Sequence, residues 1–137
     1  IEDCDIFIAA AAVSDFKPKE IYKNKIKKNE TEKHLNLKMD KNSDILKVIS
    51  EKNLNLKTVG FAAETENLLS NAKKKLSQKK LDLIVANDVS KKDIGFDSDE
   101  NEVTLITKKE QKKIKKASKK IVSKKIVEFI ASKVVND

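Results

Sequence analysis

The amino-acid sequence predicts a single α/β domain in which a parallel sheet is flanked by helices, with a smaller portion of antiparallel strands. Apolar strand-like runs alternate with amphipathic helical stretches along the chain, which is the pattern of this fold class. The longest apolar run, residues 6–13, is continuous rather than alternating, as in a strand buried on both faces. A length of 137 residues suits one domain with a modest hydrophobic core.

The first third of the chain is expected to hold a central strand, a long polar segment, a more exposed strand and a short helix. The polar segment contains the only proline and shows no apolar periodicity, whereas the residues after it alternate with period two. The predicted elements are a strand over 5–12, a surface loop over 14–34, a half-buried strand over 35–39, and a helix that is capped by residues 42–44 and ends near residue 52.

A strand, a crossover helix and a second parallel strand are predicted next, over residues 57–62, 64–80 and 82–86. Apolar residues with helical spacing indicate the buried side of this helix: Leu68, Leu69, Ala72 and Leu76.

The last part of the chain is expected to form a turn at 94–96, an exposed strand over 102–107 with a short partner near Ile114, and a final helix. The lysine-rich stretch 108–120 is interpreted as a solvated turn and helix start. The final helix is predicted from a stripe of apolar residues: Ile121, Val122, Ile126, Phe129, Ile130 and Val134.

Composition narrows the classes of function. The formal net charge is +8, but all 30 basic residues are lysine, so the chain lacks the arginine forks with which proteins read bases and phosphates. We therefore expect no nucleic-acid binding, although a basic nucleic-acid module is kept as a minor alternative.

Cys4 and His34 are the only residues of their types, which excludes an internal disulfide or a Cys/His zinc site and fits a cytoplasmic protein. No apolar run reaches the ~20 residues of a membrane span.

Polar residues follow the predicted strands, where α/β proteins bind ligands. Asp15 could coordinate a cation or accept from a ribose hydroxyl, or it could be a loop acid. Lys25 could neutralise a phosphate, although lysine runs usually face solvent. Asn42 and Asp44 could cap a helix whose first amides also favour anions.

Phe61 follows a glycine and precedes two alanines, so a nucleobase could lie against its ring; the alternative is a core phenylalanine. Lys75 and Lys79 are four residues apart on the predicted helix and could reach one polyphosphate, although chance spacing in a lysine-rich chain explains the pair equally well. Asn87 and Asp88 could bind a ligand or simply terminate a strand.

Taken together, these segments resemble phosphopantothenoylcysteine synthetase, the ligase half of the bifunctional decarboxylase–ligase proteins in the DNA/pantothenate metabolism flavoprotein C-terminal family. Their joint occurrence in this order is far more specific than any one of them. The motifs are AAVSDFKP (11–18), KIKK (25–28), KNSDIL (41–46), VGFAAET (59–65), a lysine-rich helix, DLIVANDVS (82–90) and GFDSDEN (95–101).

The resemblance implies a Rossmann-like fold, a bacterial enzyme of coenzyme A biosynthesis, and CTP with Mg²⁺ as co-substrate and cofactor. Members of the family join 4′-phosphopantothenate to L-cysteine through an acyl-cytidylate, and they are homodimers. Matched by motif, the family's contacts to CTP fall on Asp15, Lys25, Asn42, Ser43, Asp44, Ile45, Phe61, Lys75 and Lys79. Among these, the resemblance assigns the metal to Asp15 and a catalytic role to Lys25. Ser43 stands where the family has proline, which leaves a backbone contact intact.

The family's glycine-rich phosphate loop and the asparagine that handles the acyl-cytidylate have no counterpart in this sequence, whose only glycines are Gly60 and Gly95. The chain also begins at Ile1 rather than at methionine. We therefore expect the C-terminal part of a synthetase domain, with weak or no ligase activity on its own and no FMN. A nucleotide-binding or dimerisation fragment without turnover is the principal alternative.

Overall fold

The computed structural model describes residues 3–27, 34–52, 55–90 and 98–135. The chain forms two compact units. The larger unit comprises Ile1–Ala10 and Ile45–Asp137, and the smaller unit comprises Ala11–Asp44. In chain order the elements are β1 (Ile6–Ala9), β2 (Phe16–Pro18), β3 (Met39–Lys41), α1 (Ile45–Glu51), β4 (Lys57–Glu64), α2 (Leu68–Gln78), β5 (Leu83–Asp88), β6 (Glu100–Ile106), β7 (Gln111–Ser118) and α3 (Lys119–Lys133).

Among the described residues of the larger unit, five strands form one mixed sheet in the order β1-β4-β5-β6-β7. β1, β4 and β5 are parallel, whereas β6 and β7 are antiparallel to their neighbours. The predicted α/β fold is confirmed, and so is the crossover helix, because α2 connects the parallel strands β4 and β5.

The side chains of the sheet alternate between two apolar layers. Val59, Leu83 and Val85 pack on one face together with α3, which contributes Val122, Ile126, Phe129 and Ile130. Ala62, Ile84 and Ala86 pack on the other face against α2, which contributes Ala72 and Leu76. β5 is buried on both faces as far as Ala86. The expectation of a central strand over 5–12 that is buried on both faces is wrong, because β1 covers only Ile6–Ala9, pairs with β4 alone among the described strands, and leaves Ile8 44% exposed.

In the smaller unit, β2 and β3 form a two-stranded antiparallel sheet in which Phe16 pairs with Lys41. The expectation of a loop throughout 14–34 is therefore wrong at β2. The half-buried strand predicted over 35–39 is also wrong. The observed strand starts at Met39, and Leu35 and Leu37 are 63% and 50% exposed. The described residues of this unit form no second layer over either face of the two-stranded sheet, so the alternation of side chains does not produce burial.

The lysine-rich stretch 108–120 contains a strand where we expected a solvated turn. β7 covers most of it, and the helix begins only at Lys119. Ile114 is the buried residue that holds the strand on the core, and the strand predicted near it is thus confirmed and longer. Lysine Nζ atoms of β7 also lie 3.1 Å from Glu102 Oε1 and 3.5 Å from Glu100 Oε2 on β6. These cross-strand pairs stabilise a sequence that composition alone presents as solvated.

Two apolar residues predicted to be buried are exposed. Ile121 on α3 is 49% exposed and Leu69 on α2 is 41% exposed, because each lies at the margin of its helix stripe. The other residues predicted for the two stripes are buried or packed against the core. The turn expected at 94–96 lies outside the described residues. Within the described part of the chain, no helix has the length and apolar character needed to span a bilayer.

Gly60 on β4 leaves room for two leucines. A methyl group at Gly60 would lie 2.9 Å from Leu81 Cδ1 and 3.0 Å from Leu46 Cδ1, so both side chains would have to move. Such overpacking typically costs about 1–3 kcal/mol, more than the ~0.5–1 kcal/mol gained by removing a glycine from a strand. We expect Gly60→Ala to lower the free energy of unfolding in urea by about 1 kcal/mol.

The control is Ala63→Val, which enlarges an exposed side chain of the same strand. It should change the free energy of unfolding by less than about 0.5 kcal/mol. Equal effects of the two substitutions would contradict the close packing at Gly60.

Candidate functional site

The parallel strands β4 and β5 end at one edge of the sheet, where Glu64 is paired with Asp88. β5 is apolar and fully buried as far as Ala86, and its first polar side chain is Asn87. The carboxyl ends of parallel strands are where α/β proteins bind ligands. The polar residues at this edge are therefore the candidate site of the larger unit.

Phe61 is on the face of β4 that α3 covers further along the sheet, since it alternates with Val59 of that apolar layer. Its side chain is 42% exposed, so Phe61 is not a core residue of the described chain. Ala63, the next residue on the same face, is exposed and small, so the space beside the ring is open. An open aromatic ring of this kind can stack on a planar ligand.

Asn87 is paired with Ala63 across β4 and β5 and therefore shares the face of Phe61. Its Oδ1 atom is buried and has no hydrogen-bond partner among the described residues. A buried acceptor without a partner destabilises a protein by about 1–3 kcal/mol, so such atoms usually have a reason to be there. The sequence left open whether Asn87 binds a ligand, and the unpaired Oδ1 is the signal that only the structure supplies.

An ion pair occupies the opposite face of β4 at the same edge. Lys75 Nζ on α2 donates to Glu64 Oε1 at 2.6 Å, and Asn71 Nδ2 donates to Glu64 Oε2 at 3.1 Å. The hydrogen bond from Lys75 is the main cause that lowers the pKa of the Glu64 carboxyl below its ordinary value, against the opposing effect of burial. Glu64 is therefore ionised at neutral pH and faces an ammonium group.

Lys79 caps the C-terminus of α2, where its backbone N–H donates to the carbonyl of Lys75 at 3.0 Å. It follows Lys75 by four residues, and the two side chains therefore leave the same side of the helix. Because a helical side chain tilts toward the N-terminus of its helix, Lys75 points toward the edge of the sheet at which β4 ends.

In the smaller unit, the structure brings Asp15 and Asn42 together. The backbone N–H of Asn42 donates to the carbonyl of Asp15 at 2.8 Å, and Asn42 Nδ2 donates to the carbonyl of Ser14 at 2.8 Å. These bonds join the AAVSDFKP and KNSDIL segments. Two further predicted site residues of this unit, Lys25 and Ser43, are both exposed.

Asp44 ends the smaller unit and is half-buried, and Ile45 begins α1 in the larger unit with 45% of its side chain exposed. The predicted site residues are thus divided between the two units, and each unit is described by itself.

Among the described residues, no three His, Cys, Asp or Glu side chains are grouped to hold a metal ion. Magnesium in nucleotide sites is commonly held by one or two carboxylates together with substrate phosphates and water. The single exposed carboxylate of Asp15 fits that kind of binding and does not fit a cage built by the protein alone.

A cavity of about 190 Å³ lies at the other edge of the sheet, where β4 begins, and it is not the predicted site. Its lining contains four lysines, one carboxylate and no aromatic side chain that a base could stack on. The lining residues are Lys57, Asp82, Thr107, Lys108, Lys109, Lys133 and Val134.

Curated relatives share the sequence of most of the chain. It is 42% identical over 129 residues to the coenzyme A biosynthesis bifunctional protein CoaBC of Vibrio vulnificus strain CMCP6, covering 93% of this chain and 32% of that protein. Against the CoaBC of Bacillus subtilis strain 168 the identity is 45%, with 93% of this chain and 31% of that protein covered. The chain thus spans about a third of the length of these relatives.

Solved structures show the same fold. The crystal structure of the C-terminal domain of a coenzyme A biosynthesis bifunctional protein CoaBC matches with a TM-score of 0.75 at 30% identity, covering 99% of this chain and 58% of that one. The DNA/pantothenate metabolism flavoprotein from Streptococcus pneumoniae, at 21% identity, matches in fold with a TM-score of 0.68 over 99% of this chain and 63% of that one. A family model also matches residues 1–134, and the chain therefore belongs to the family of the DNA/pantothenate metabolism flavoprotein C-terminal domain.

Proposed function

We propose that this chain binds the nucleotide of a CTP-dependent ligase that joins 4′-phosphopantothenate to L-cysteine in coenzyme A biosynthesis. The observation that carries the proposal lies at the carboxyl ends of two parallel strands, where an exposed ring, Phe61, shares a face with a buried acceptor, Asn87 Oδ1, that has no partner among the described residues. The names of the CoaBC relatives support the pathway, and the resemblance described above supports the reaction.

The cytosine base is proposed to lie against the Phe61 ring. Stacking on an aromatic side chain is typically worth about 1–3 kcal/mol per base. Asn87 Oδ1 would accept a hydrogen bond from the exocyclic amino group of the base, and this oxygen would then gain a partner that the described residues do not supply. Shape and polarity at this edge thus suit a flat ligand with an N–H donor.

The phosphates are proposed to contact lysine side chains. Lys75 lies on the other face of β4 at the same edge, and its side chain remains 44% exposed although Glu64 holds it. An ammonium ion has three donors, so Lys75 can keep Glu64 and still donate to a phosphate oxygen. Lys79 and Lys25 are proposed as further counter-charges, and Asp15 as the carboxylate that holds Mg²⁺. When bound, Mg²⁺ would neutralise charge on the phosphate oxygens.

The proposed reaction has two steps. A carboxylate oxygen of 4′-phosphopantothenate attacks the α-phosphorus of CTP, the bond from that phosphorus to the bridging oxygen breaks, and pyrophosphate leaves. The cysteine amine then attacks the acyl carbon, CMP leaves with the electrons of the acyl–oxygen bond, and the nitrogen loses a proton as the amide forms. Negative charge builds up on phosphate oxygens in the first step, so a positioned cation such as Lys25 lowers the barrier more than an acid or base would.

We expect Phe61→Ala to weaken the binding of CTP and of CMP alike, by about tenfold, because the lost stacking concerns the base that both ligands carry. Titration calorimetry with Mg²⁺ measures both affinities.

ATP should bind more weakly than CTP to the unsubstituted protein, and a nucleic-acid module would instead bind oligonucleotides with a strong dependence on salt.

The matched control is Val127→Ala, which truncates a side chain of α3 that is 60% exposed. It should leave both affinities unchanged. If Phe61→Ala behaved like this control, the ring would not be the base platform.

Asn87→Leu is expected to raise the stability of the protein while it weakens nucleotide binding. Replacing an amide whose buried oxygen has no partner among the described residues by an apolar group of similar size should raise the free energy of unfolding by about 1 kcal/mol. The same change should weaken CTP and CMP binding about fivefold, the usual effect of losing one hydrogen bond. Urea unfolding and calorimetry measure the two quantities, and a loss of stability without a loss of affinity would count against the assignment.

Lys75→Ala is expected to weaken CTP binding by about tenfold and CMP binding by less than about twofold, because the lost charge-assisted contact is to the outer phosphates. Lys124→Ala is the control, since that lysine is 79% exposed and its Nζ lies 4.0 Å from Glu128. Equal losses for CTP and CMP in the Lys75 variant would mean that this lysine does not contact the outer phosphates.

A further inference from the structure

Two side chains of α2 meet one carboxylate of β4. Asn71 and Lys75 are four residues apart on α2, so they share a face, and each donates to a different oxygen of Glu64, at 3.1 and 2.6 Å. Asn71 Nδ2 also donates to the carbonyl of Glu66 at 3.1 Å, which fixes the amide from a second direction. Both oxygens of Glu64 are thereby engaged with α2.

The backbone of Glu64 is held in the sheet. The backbone carbonyl of Glu64 accepts from the N–H of Val89 at 3.0 Å, and its side chain is only 13% exposed. The side chain of Lys75, by contrast, is 44% exposed. The ion pair therefore joins a largely buried acid, which Asn71 also holds, to a lysine whose side chain is still partly open to solvent.

We propose that Glu64 is a positioning residue, which fixes the ammonium group of Lys75 at the carboxyl edge of β4, where it contacts the outer phosphates of the bound nucleotide. The inference rests on the proposed function, because it takes Lys75 to be a phosphate contact. It adds a residue that the sequence motifs did not assign to the site and gives it a role that acts through Lys75.

The physical reason is the flexibility of lysine. An unrestrained lysine loses much of its rotamer freedom when it binds a ligand, and this loss lowers affinity. Glu64 restricts Lys75 before the ligand arrives, so part of that loss has occurred already in the free protein. A carboxylate beside the phosphates also repels them, and the proposal requires that the gain from positioning exceeds this repulsion.

The test compares CTP and CMP binding, with Mg²⁺, in the unsubstituted protein and in Glu64→Gln. Glutamine keeps an acceptor for Asn71 and removes the charge that holds Lys75. We expect CTP to bind about fivefold more weakly and CMP to bind as before, because only the outer phosphates depend on the position of Lys75. Glu128→Gln, which removes the exposed partner of Lys124, is the control and should change neither affinity.

The double variant Glu64→Gln/Lys75→Ala decides whether Glu64 acts through the lysine. If it does, CTP should bind the double variant no more weakly than it binds Lys75→Ala, since no ammonium is left to position and the repulsion between the carboxylate and the phosphates is also removed. A further fivefold loss in the double variant would overturn the proposal, as would unchanged or tighter CTP binding in Glu64→Gln.

Asn71→Ala is a second variant in case Glu64→Gln does not fold. Losing one of the two bonds to Glu64 should lower the ratio of CTP to CMP affinity about twofold, and an unchanged ratio would contradict the proposal. These variants also distinguish failure of the proposed function from failure of the role of Glu64. If Lys75→Ala leaves CTP affinity unchanged, the phosphate contact in the proposed function is wrong. If Lys75→Ala lowers CTP affinity and Glu64→Gln does not, only the role of Glu64 is refuted.

Discussion

Burial of β5 on both of its faces is the constraint on which the larger unit depends. Leu83, Ile84, Val85 and Ala86 are at most 1% exposed, because α3 covers one face of the sheet and α2 covers the other. A polar side chain within this stretch would be desolvated without a partner. Polar chemistry is thus confined to the end of the strand, at Asn87, and a candidate site forms there as a consequence of packing.

The two faces of the sheet carry different chemistry at that edge. Phe61 and Asn87 lie on the α3 face, where a ring and an amide are available, whereas Glu64 and Lys75 form an ion pair on the α2 face. A ligand that bridges the edge would meet an apolar, hydrogen-bonding surface on one side and a charged one on the other. A nucleotide has the same division, with a flat base at one end and anionic phosphates at the other.

Much of the larger unit could be predicted from the sequence, because the alternation of strands and helices and the apolar stripes of the helices are local patterns. The continuous apolar run 6–13 misled, since β1 covers only Ile6–Ala9 and lies at an end of the described sheet, where Ile8 is 44% exposed. The strand over 35–39 could not be predicted correctly, since alternation implies a half-buried face only when a second layer covers it. β7 could not be predicted because its many lysines are typical of a solvated segment. The carboxylates that pair with these lysines are on β6, a separate segment of the chain. The roles proposed for Asn87 and Glu64 depend on their hydrogen-bond partners, which local sequence patterns do not contain. The described residues supply no partner for Asn87 Oδ1, and the partner of Glu64, Lys75, is 11 residues away in the chain.

The absence of arginine gives the ion pair at Glu64 its significance. Arginine presents a rigid planar fork that orients itself on a phosphate, whereas lysine is a point charge on a flexible stem. In a chain whose basic side chains other than His34 are all lysine, neighbouring residues have to fix the orientation of each lysine side chain. Exposed pairs such as Lys124 and Glu128 supply little direction, because solvent surrounds both groups. Glu64 can supply it, because the sheet holds its backbone, Asn71 donates to its carboxylate at 3.1 Å, and α2 brings Lys75 to it at 2.6 Å.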